Sequence, residues 1–196
     1  MAHASPASAK LALRAEMRAR RRALAAEQPQ AGEQAAHHLP LDELPPFAVV
    51  GGYVRHGAEI NPAAVLARFR EAGARIALPV TVAADAPLVF RAGTPETEHV
   101  ADAAGVRGPP QHAEAMVPDL LIVPLVAFDR SGGRLGQGGG HFDRTLAALD
   151  AEKPVFAIGL AYAGQEVARL PREEHDRRLD AILTEKEYIA VDKDVE

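Results

Sequence analysis

Apolar and polar positions follow a helical period at the start of the chain. Residues 7–27 are rich in strong helix formers, and their arginines recur at helical spacing, which predicts a basic amphipathic helix. A second helix is predicted over 31–38, before Pro40, Pro45 and Pro46 interrupt the pattern. The sequence therefore begins with two helices that end where the prolines cluster.

Continuous apolar runs then alternate with amphipathic segments. The runs FAVVGGYV, ARIALPV, APLVFRA, LLIVPLVAF and PVFAIGLAY predict buried strands. Asn61 and Pro62 form a helix start before AAVLARFREAG, and HFDRTLAALD predicts a further helix. Residues 93–117 are rich in proline, glycine and charge and predict a long loop. This alternation favours an α/β fold with a mostly parallel sheet covered on both faces.

Length and composition narrow the class of protein. A chain of 196 residues with 47% hydrophobic content predicts one domain over 1–196, with the helix of 1–27 as part of it. The net charge of -5 lacks the excess of positive charge that is typical of proteins that bind nucleic acid or anionic lipid. No cysteine occurs, which excludes disulfides and thiolate chemistry, and no N-terminal apolar segment suits a signal peptide or membrane span. We therefore expect a cytoplasmic protein.

The segment FDRSGGRLGQGGGHFDR, residues 128–144, is rich in glycine and lies between a predicted strand and a predicted helix. Its backbone amides can form an anion nest, the helix N-terminus adds a positive end, and Arg134 and Arg144 add full charges. It matches neither a Walker loop nor a Rossmann fingerprint. The segment therefore predicts a polyphosphate site, and the alternative is a flexible surface hairpin.

Carboxylates suggest a magnesium site beside that loop. Asp143 lies one turn into the predicted helix, where it is either a magnesium ligand or a helix-start charge. A second group of carboxylates that could complete the site, or be solvated surface charges, comprises Glu173, Glu174, Asp176 and Asp180. His175 beside Asp176 is either a general base or a surface histidine.

Other catalytic arrangements lack support in the sequence. Serine occurs only at Ser5, Ser8 and Ser131, none of them in a nucleophile elbow. No His-Glu-x-x-His pattern occurs, and the adjacent His37 and His38 cannot face one metal ion from a helix. A serine hydrolase and a zinc enzyme are therefore not expected.

Three segments together resemble the 5-formyltetrahydrofolate cyclo-ligase family. They are the glycine-rich signature, the run AIGLAYAGQEV followed by LPREEHDRRLDAILTE, and the N-terminal KLALR at residues 10–14. The resemblance implies a three-layer α/β sandwich similar to sugar-phosphate isomerases and CoA transferases. It also implies ATP- and Mg²⁺-dependent cyclisation of 5-formyltetrahydrofolate to 5,10-methenyltetrahydrofolate, with release of ADP and phosphate. We expect a monomer that acts on reduced folate and ATP and binds neither nucleic acid nor membrane.

The resemblance also assigns expected roles to individual residues. The expected ATP-binding residues are Lys10, Leu11, Ala12, Leu13, Arg14, Arg134, Leu135, Gly136, Gln137, Gly138, Gly139, Gly140, His141 and Phe142. The expected folate-binding residues are Val54, Glu59, Gln137, Gly138, Gly139, Gly140 and His141. Asp143 and Asp176 are the expected magnesium ligands, and Arg134 and Glu59 the expected catalytic residues.

The chain departs from the family pattern on the pterin side of the expected site. His141 stands where the family carries a tyrosine that contacts folate, and Gln137 replaces a frequent tyrosine. The linker usually reads aromatic-Gly-Ile-x-Glu-Pro, but here Ala104 replaces the aromatic residue and Gly108 the glutamate. The alternative function is therefore a nucleotide- or folate-binding paralogue that is non-catalytic or takes an altered substrate. A sugar-phosphate isomerase would not need the expected ATP and magnesium residues.

Overall fold

The computed structural model describes residues 6–97, 99–103, 105–171 and 176–192. The α-helices in these ranges are α1 (Pro6–Glu27), α2 (Ala31–His37), α3 (Ala63–Glu71) and α4 (His141–Glu152), and two short 3-10 helices cover Leu41–Glu43 and Ala163–Gln165. The strands are β1 (Val49–Gly51), β2 (Arg75–Val80), β3 (Val89–Ala92), β4 (Val100–Ala101), β5 (Arg107–Gly108), β6 (Leu120–Pro124), β7 (Ala127–Phe128), β8 (Arg134–Leu135), β9 (Phe156–Leu160), β10 (Ala181–Leu183) and β11 (Tyr188–Ala190). Among the described segments, no helix combines the length and apolar character needed to cross a bilayer.

One sheet of seven strands forms the centre of the molecule, in the order β11-β10-β9-β6-β1-β2-β3. The pairs between neighbours from β10 to β2 are parallel, and the edge strands β11 and β3 are antiparallel to their neighbours. Helix α3 connects β1 to β2, and α4 lies between β6 and β9 along the chain. The predicted α/β fold with a mostly parallel sheet is therefore confirmed.

The strand β6 shows why the sheet is covered on both faces. Leu120 and Ile122 belong to one buried cluster, which includes residues of α2 and α3 such as Phe69. Leu121 and Val123 belong to the other cluster, to which α4 contributes Leu146. Successive side chains of a strand point to opposite faces, so a run of apolar residues needs a layer of protein on each side. The predicted three layers are thus helices, sheet and helix.

The structure differs from the strand predictions in three places. The apolar run 120–128 is divided between β6 in the central sheet and β7, which pairs with β8 inside the glycine-rich segment. The predicted loop 93–117 contains the short antiparallel pair β4 and β5. The edge strand β11 was not predicted. In each of these antiparallel pairs the two strands lie close together in the chain but pair over only two or three residues, which is too short for a periodic pattern to show.

Asp119 connects three elements at the amino ends of the central strands. One carboxylate oxygen accepts hydrogen bonds from the backbone N–H groups of Ala48 and Val49, at 2.9 and 2.8 Å. The other accepts one from Lys153 Nζ, beyond the end of α4, at 2.5 Å. Burial opposes ionisation of this carboxyl, but the Lys153 ammonium and the two amides outweigh it and lower the pKa of Asp119. Ionised Asp119 therefore stabilises the native fold.

We expect Asp119→Asn to lower the free energy of unfolding at pH 7 by about 1–2 kcal/mol, because the amide loses the charge and one acceptor oxygen. A pKa that is lower in the folded state gives stability that is present above the unfolded pKa and is lost as pH falls through the folded value. The difference between the variant and the wild type should therefore shrink below about pH 4. Urea denaturation at pH 7 and pH 3 measures it. Asp42→Asn, at an exposed carboxylate, is the control, and a loss that is equal at both pH values would contradict the assignment.

Candidate functional site

A cavity of about 350 Å³ opens at the carboxyl ends of the central strands. Tyr53 and Val54, after β1, line it together with Thr81, after β2, and Pro124 at the end of β6. After β1 the chain continues to β2, toward one edge of the sheet, whereas after β6 it continues to β9, toward the opposite edge. In open parallel sheets, ligands bind outside the carboxyl ends at such a reversal of strand order. Both the size and the position of the cavity therefore suit a small-molecule site.

The cavity gathers most of the residues to which the resemblance assigned roles. Those that line it are Lys10, Arg14, Val54, Glu59, Arg134, Gly136, Gln137, Gly138, Gly139, Gly140, His141, Phe142, Asp143 and Asp176. The expected nucleotide, folate and metal residues thus lie around one space, although they come from segments far apart in the chain.

Four of the expected ATP-binding residues do not line the cavity. Leu11 is 68% exposed on the outer side of α1, and Ala12 is also exposed. Leu135 is buried in a small apolar cluster with Met17, and Leu13 packs against the same cluster. Within 10–14, only Lys10 and Arg14 therefore present side chains to the cavity. Leu13 and Leu135 instead help to attach α1 to the base of the glycine-rich loop.

The glycine-rich loop, residues 136–140, connects β8 to α4 and forms one wall of the cavity. Gly138 has φ +107 and Gly140 has φ +66, backbone conformations that L side chains rarely adopt. A β-carbon on Gly140 would also lie 2.7 Å from Arg144 Nη1. Gly140 is the N-cap of α4, so the loop leads directly into the positive end of a 12-residue helix. This geometry can bind an anion, and the role of the loop as a phosphate site stays a prediction.

The base of this loop is held by a buried carboxylate. Asp129 is 1% exposed and accepts hydrogen bonds from the backbone amides of Ser131, Gly133 and Leu170. A β-carbon on Gly133 would lie 2.6 Å from Asp129 Oδ2. The first half of the signature thus builds the turn between β7 and β8, and the second half faces the cavity.

The two expected magnesium carboxylates both face the cavity and both pair with a cation. Asp143, in the first turn of α4, lies 2.5 Å from Arg134 Nη2, and Asp176 lies 2.7 Å from Lys10 Nζ. Magnesium typically binds to one or two carboxylates together with phosphate oxygens and water, so these two side chains fit such a site. Across the described ranges, no group of three or more His, Cys, Asp or Glu side chains is arranged to hold a metal ion by itself.

Arg134 is the most buried cation of the site, with its side chain 4% exposed. Burial lowers its pKa, whereas the nearby Asp143 raises it. Its other terminal nitrogen donates to the carbonyl of Arg177 at 2.5 Å. Arg134 is thus a buried positive charge beside the cavity, where it is less screened by water than a surface charge and can act on a ligand anion.

The remaining candidate carboxylates differ in their positions. Asp180 does not line the cavity. Its carboxylate instead accepts hydrogen bonds from the backbone N–H of Ala157 and from Arg177, each at 2.8 Å. It therefore joins β9 to the segment before β10, and the structure gives it a structural role. Glu173, Glu174 and His175 lie outside the described residues.

Glu59 lies beside the glycine-rich loop, in the loop between β1 and α3. Its side chain is 8% exposed, and one oxygen accepts the backbone N–H of His56 at 3.0 Å. The other lies 3.8 Å from Arg21 Nη1 and 3.5 Å from Gln137 Nε2. Burial lowers the pKa of Arg21, and Glu59 counteracts this shift. The carboxylate is thus held in one orientation toward the cavity.

Tyr53 fixes the loop that carries Glu59. Its hydroxyl donates to the carbonyl of Ile60 at 2.6 Å and is buried. Burial and the nearby Glu59 raise the pKa of Tyr53 well above its ordinary value, so the phenol stays protonated and remains a donor. Tyr53 belongs to the run FAVVGGYV that was predicted as a strand, but this hydrogen bond depends on how the following loop folds back.

The wall formed by β4, β5 and the turn between them was not predicted from the sequence. Asp102 accepts hydrogen bonds from the backbone amides of Thr81 and Val106, at 2.8 and 2.9 Å, and thereby holds the turn beside β2. Val106 and Arg107 line the cavity there, and Ala104 lies outside the described residues. The apolar side chains of the cavity are Val54, Pro79, Leu88, Val106, Pro124 and Phe142. The only sign of this wall in the sequence was an unusually long loop.

Comparisons with known proteins agree with the resemblance. A model of the 5-formyltetrahydrofolate cyclo-ligase family matches residues 6–185. The chain belongs to this family. It is 36% identical to 5-formyltetrahydrofolate cyclo-ligase of Escherichia coli K12 over 177 residues, covering 86% of this chain and 96% of that protein. It is 34% identical to the cyclo-ligase of Haemophilus influenzae, covering 87% of this chain and 95% of that protein.

Solved structures of similar fold agree as well. The NMR structure of Aquifex aeolicus 5,10-methenyltetrahydrofolate synthetase matches with a TM-score of 0.73 and 26% identity, covering 93% of this chain and 92% of that one. The 5,10-methenyltetrahydrofolate synthetase of Mycoplasma pneumoniae has the same fold at 24% identity, with a TM-score of 0.65. The resemblance in the three sequence segments is therefore confirmed at the level of the family, whereas the roles of single residues stay predictions.

We expect Gly138→Ala to lower the affinity for ATP by about tenfold, because its positive φ strains an alanine and the loop would move to relieve that strain. Gly73→Ala is a matched control, since Gly73 has φ +94 and open space around it but lies at the end of α3, away from the cavity. Both variants should lower the melting temperature, and only Gly138→Ala should weaken ATP binding in calorimetry. Unchanged ATP affinity in Gly138→Ala would favour the surface-hairpin interpretation.

Proposed function

We propose that the protein catalyses the ATP- and Mg²⁺-dependent cyclisation of 5-formyltetrahydrofolate to 5,10-methenyltetrahydrofolate, releasing ADP and phosphate. Membership of the cyclo-ligase family supports this function. The observation that carries the proposal is that one cavity is lined by the glycine-rich loop, two carboxylates and Glu59. These groups match the needs of a polyphosphate, a divalent cation and a polar folate ring.

The first chemical step activates an oxygen atom. The folate carries a formyl group on N5, and the oxygen of this group is a poor leaving group. The neighbouring N10 amine therefore cannot displace it directly. Attack of this oxygen on the γ-phosphorus of ATP forms a new P–O bond, breaks the bond to ADP and turns the formyl oxygen into a phosphate ester. The formyl carbon then carries a good leaving group.

The second step closes the ring. The N10 lone pair attacks the activated carbon, N10 loses its proton, and the C–O bond breaks with release of phosphate. The product has one carbon bridging N5 and N10. No protein nucleophile takes part, which agrees with a chain that contains no cysteine and only three serines.

The residues of the cavity act through position and charge. The amides of the glycine-rich loop and the cations Arg134, Lys10 and Arg14 would hold the triphosphate, with Arg134 offsetting negative charge that develops at the γ-phosphoryl group. Asp143 and Asp176 would hold Mg²⁺, which when bound neutralises phosphate charge. Glu59 would orient the folate ring, and the apolar wall would cover its hydrophobic parts. The monomeric state stays a prediction.

Purified protein should form methenyltetrahydrofolate, followed by its absorbance, only when 5-formyltetrahydrofolate, ATP and Mg²⁺ are all present. ADP should appear in equal amount. Conversion without ATP would overturn the proposal. ADP release that depends on folate but gives no cyclised product would instead support an altered substrate, and folate binding without turnover would support the non-catalytic alternative.

A variant of Asp143 tests the metal assignment. We expect Asp143→Asn to raise the Mg²⁺ concentration needed for half-maximal activity at least about tenfold, because a charged ligand is lost. The variant also leaves the buried Arg134 without its carboxylate partner, so the melting temperature should fall as well.

The matched control is Asp150→Asn on the same helix. Asp150 also pairs with a partly buried arginine, Arg177, at 3.0 Å, but it does not line the cavity. It should lower the melting temperature and leave the Mg²⁺ dependence unchanged. Equal Mg²⁺ dependence in both variants would contradict the assignment of Asp143 as a magnesium ligand.

A further inference from the structure

Arg18 contacts the glycine-rich loop from outside the cavity. Its Nε donates to the side-chain oxygen of Gln137 at 3.1 Å, and its Nη2 donates to the backbone carbonyl of the same residue at 2.6 Å. The helical period places Arg18 on one face of α1 with Arg14 and Arg21, which also contact the site. Arg18 itself is absent from the lining of the cavity. Its hydrogen bonds therefore reach the cavity through Gln137, which lines it.

The contact with Arg18 decides which way the Gln137 amide points. A guanidinium only donates hydrogen bonds, so the group of the amide that faces Arg18 must be the oxygen. The amide nitrogen then faces Glu59, whose Oε1 lies 3.5 Å away. Without Arg18, only the 3.5 Å contact with Glu59 would favour this orientation of the exposed amide.

The Glu59 carboxylate also contacts a second arginine of α1, Arg21. Arg21 lies 3.8 Å from Glu59 Oε1, and it also donates to the carbonyl of Leu125 at 3.1 Å. Arg21 thus constrains Glu59 directly, and Arg18, one turn earlier in α1, constrains it through Gln137. The Glu59 carboxylate is almost completely buried, so the donors around it decide its position.

We propose that Arg18 is a positioning residue for the reduced folate, acting by orienting Gln137 and, through it, Glu59. The inference rests on the proposed function, since both residues are expected to contact folate. Arg18 orients groups that bind the folate and takes no part in the chemistry. Its loss should therefore affect folate binding more than turnover.

We expect Arg18→Ala to raise the KM for 5-formyltetrahydrofolate about tenfold, as for the loss of a hydrogen bond to a charged group, with kcat changed by less than about threefold. Gln137→Ala should have a similar effect. The double variant should be little worse than Arg18→Ala, which by itself removes both contacts with Gln137. Steady-state kinetics give the KM and kcat, and calorimetry gives the Kd of 5-formyltetrahydrofolate directly.

The control is Arg22→Ala, which removes the same charge from an exposed position one turn further along α1. It should leave the KM, kcat and Kd unchanged. A wild-type KM in Arg18→Ala, an equal rise in Arg22→Ala, or effects of Arg18→Ala and Gln137→Ala that multiply would each overturn the positioning role while leaving the proposed function intact. A wild-type protein that neither binds nor converts 5-formyltetrahydrofolate would overturn the proposed function and this inference with it.

Discussion

The parallel pairing of β1 with β6 is the contact on which the rest of the structure depends. Val50 pairs with Leu120 and Gly51 with Leu121, although about 70 residues separate the two strands, roughly as many as a small domain contains. On one side of this pair the chain continues to β2, and on the other side it continues to β9. The connections therefore diverge at the carboxyl ends of β1 and β6 and leave a crevice between them. The candidate site occupies that crevice.

Close packing around this pair explains two glycines that take no part in the glycine-rich loop. A β-carbon on Gly51 would lie 2.3 Å from a side-chain carbon of Leu121, and one on Gly52 would lie 2.6 Å from Leu66. The sheet can approach its neighbours here only because these positions lack side chains. Immediately afterwards the chain turns into the loop of Tyr53 and Glu59. The glycines that allow close packing in the core are thus followed, within a few residues, by side chains that line the cavity.

Helix α1 completes the site by contacting loops that are distant from one another in the chain. Its cations contact the segment before β10 through Lys10, the glycine-rich loop through Arg14 and Arg18, and the loop after β1 through Arg21. These residues recur every three or four positions, so they lie along one face of the helix. Several of them meet carboxylates or carbonyls that also face the cavity. Much of the basic character of α1 therefore serves the site, although Arg20 and Arg22 are exposed.

The sequence by itself determined the fold class and the family. Apolar runs such as LLIVPLVAF alternate with amphipathic helices, and this local periodicity is enough to indicate a parallel sheet covered on both faces. The glycine-rich signature is contiguous, so its residues and the following Asp143 could be recognised without knowledge of their neighbours. For the same reason the sequence could not distinguish Leu135, which is buried in the core, from Gly136, which faces the cavity.

Only the tertiary structure decided which distant groups meet. The pairing of Lys10 with Asp176, the hydrogen bonds that hold Asp180 away from the cavity, and the wall around Asp102 depend on contacts between segments that local patterns do not relate. The orientation of Gln137 likewise depends on Arg18, which lies 119 positions away in the chain. Hydrophobic periodicity reports which side of an element is buried, but hydrogen bonds and ion pairs form only after the elements have packed.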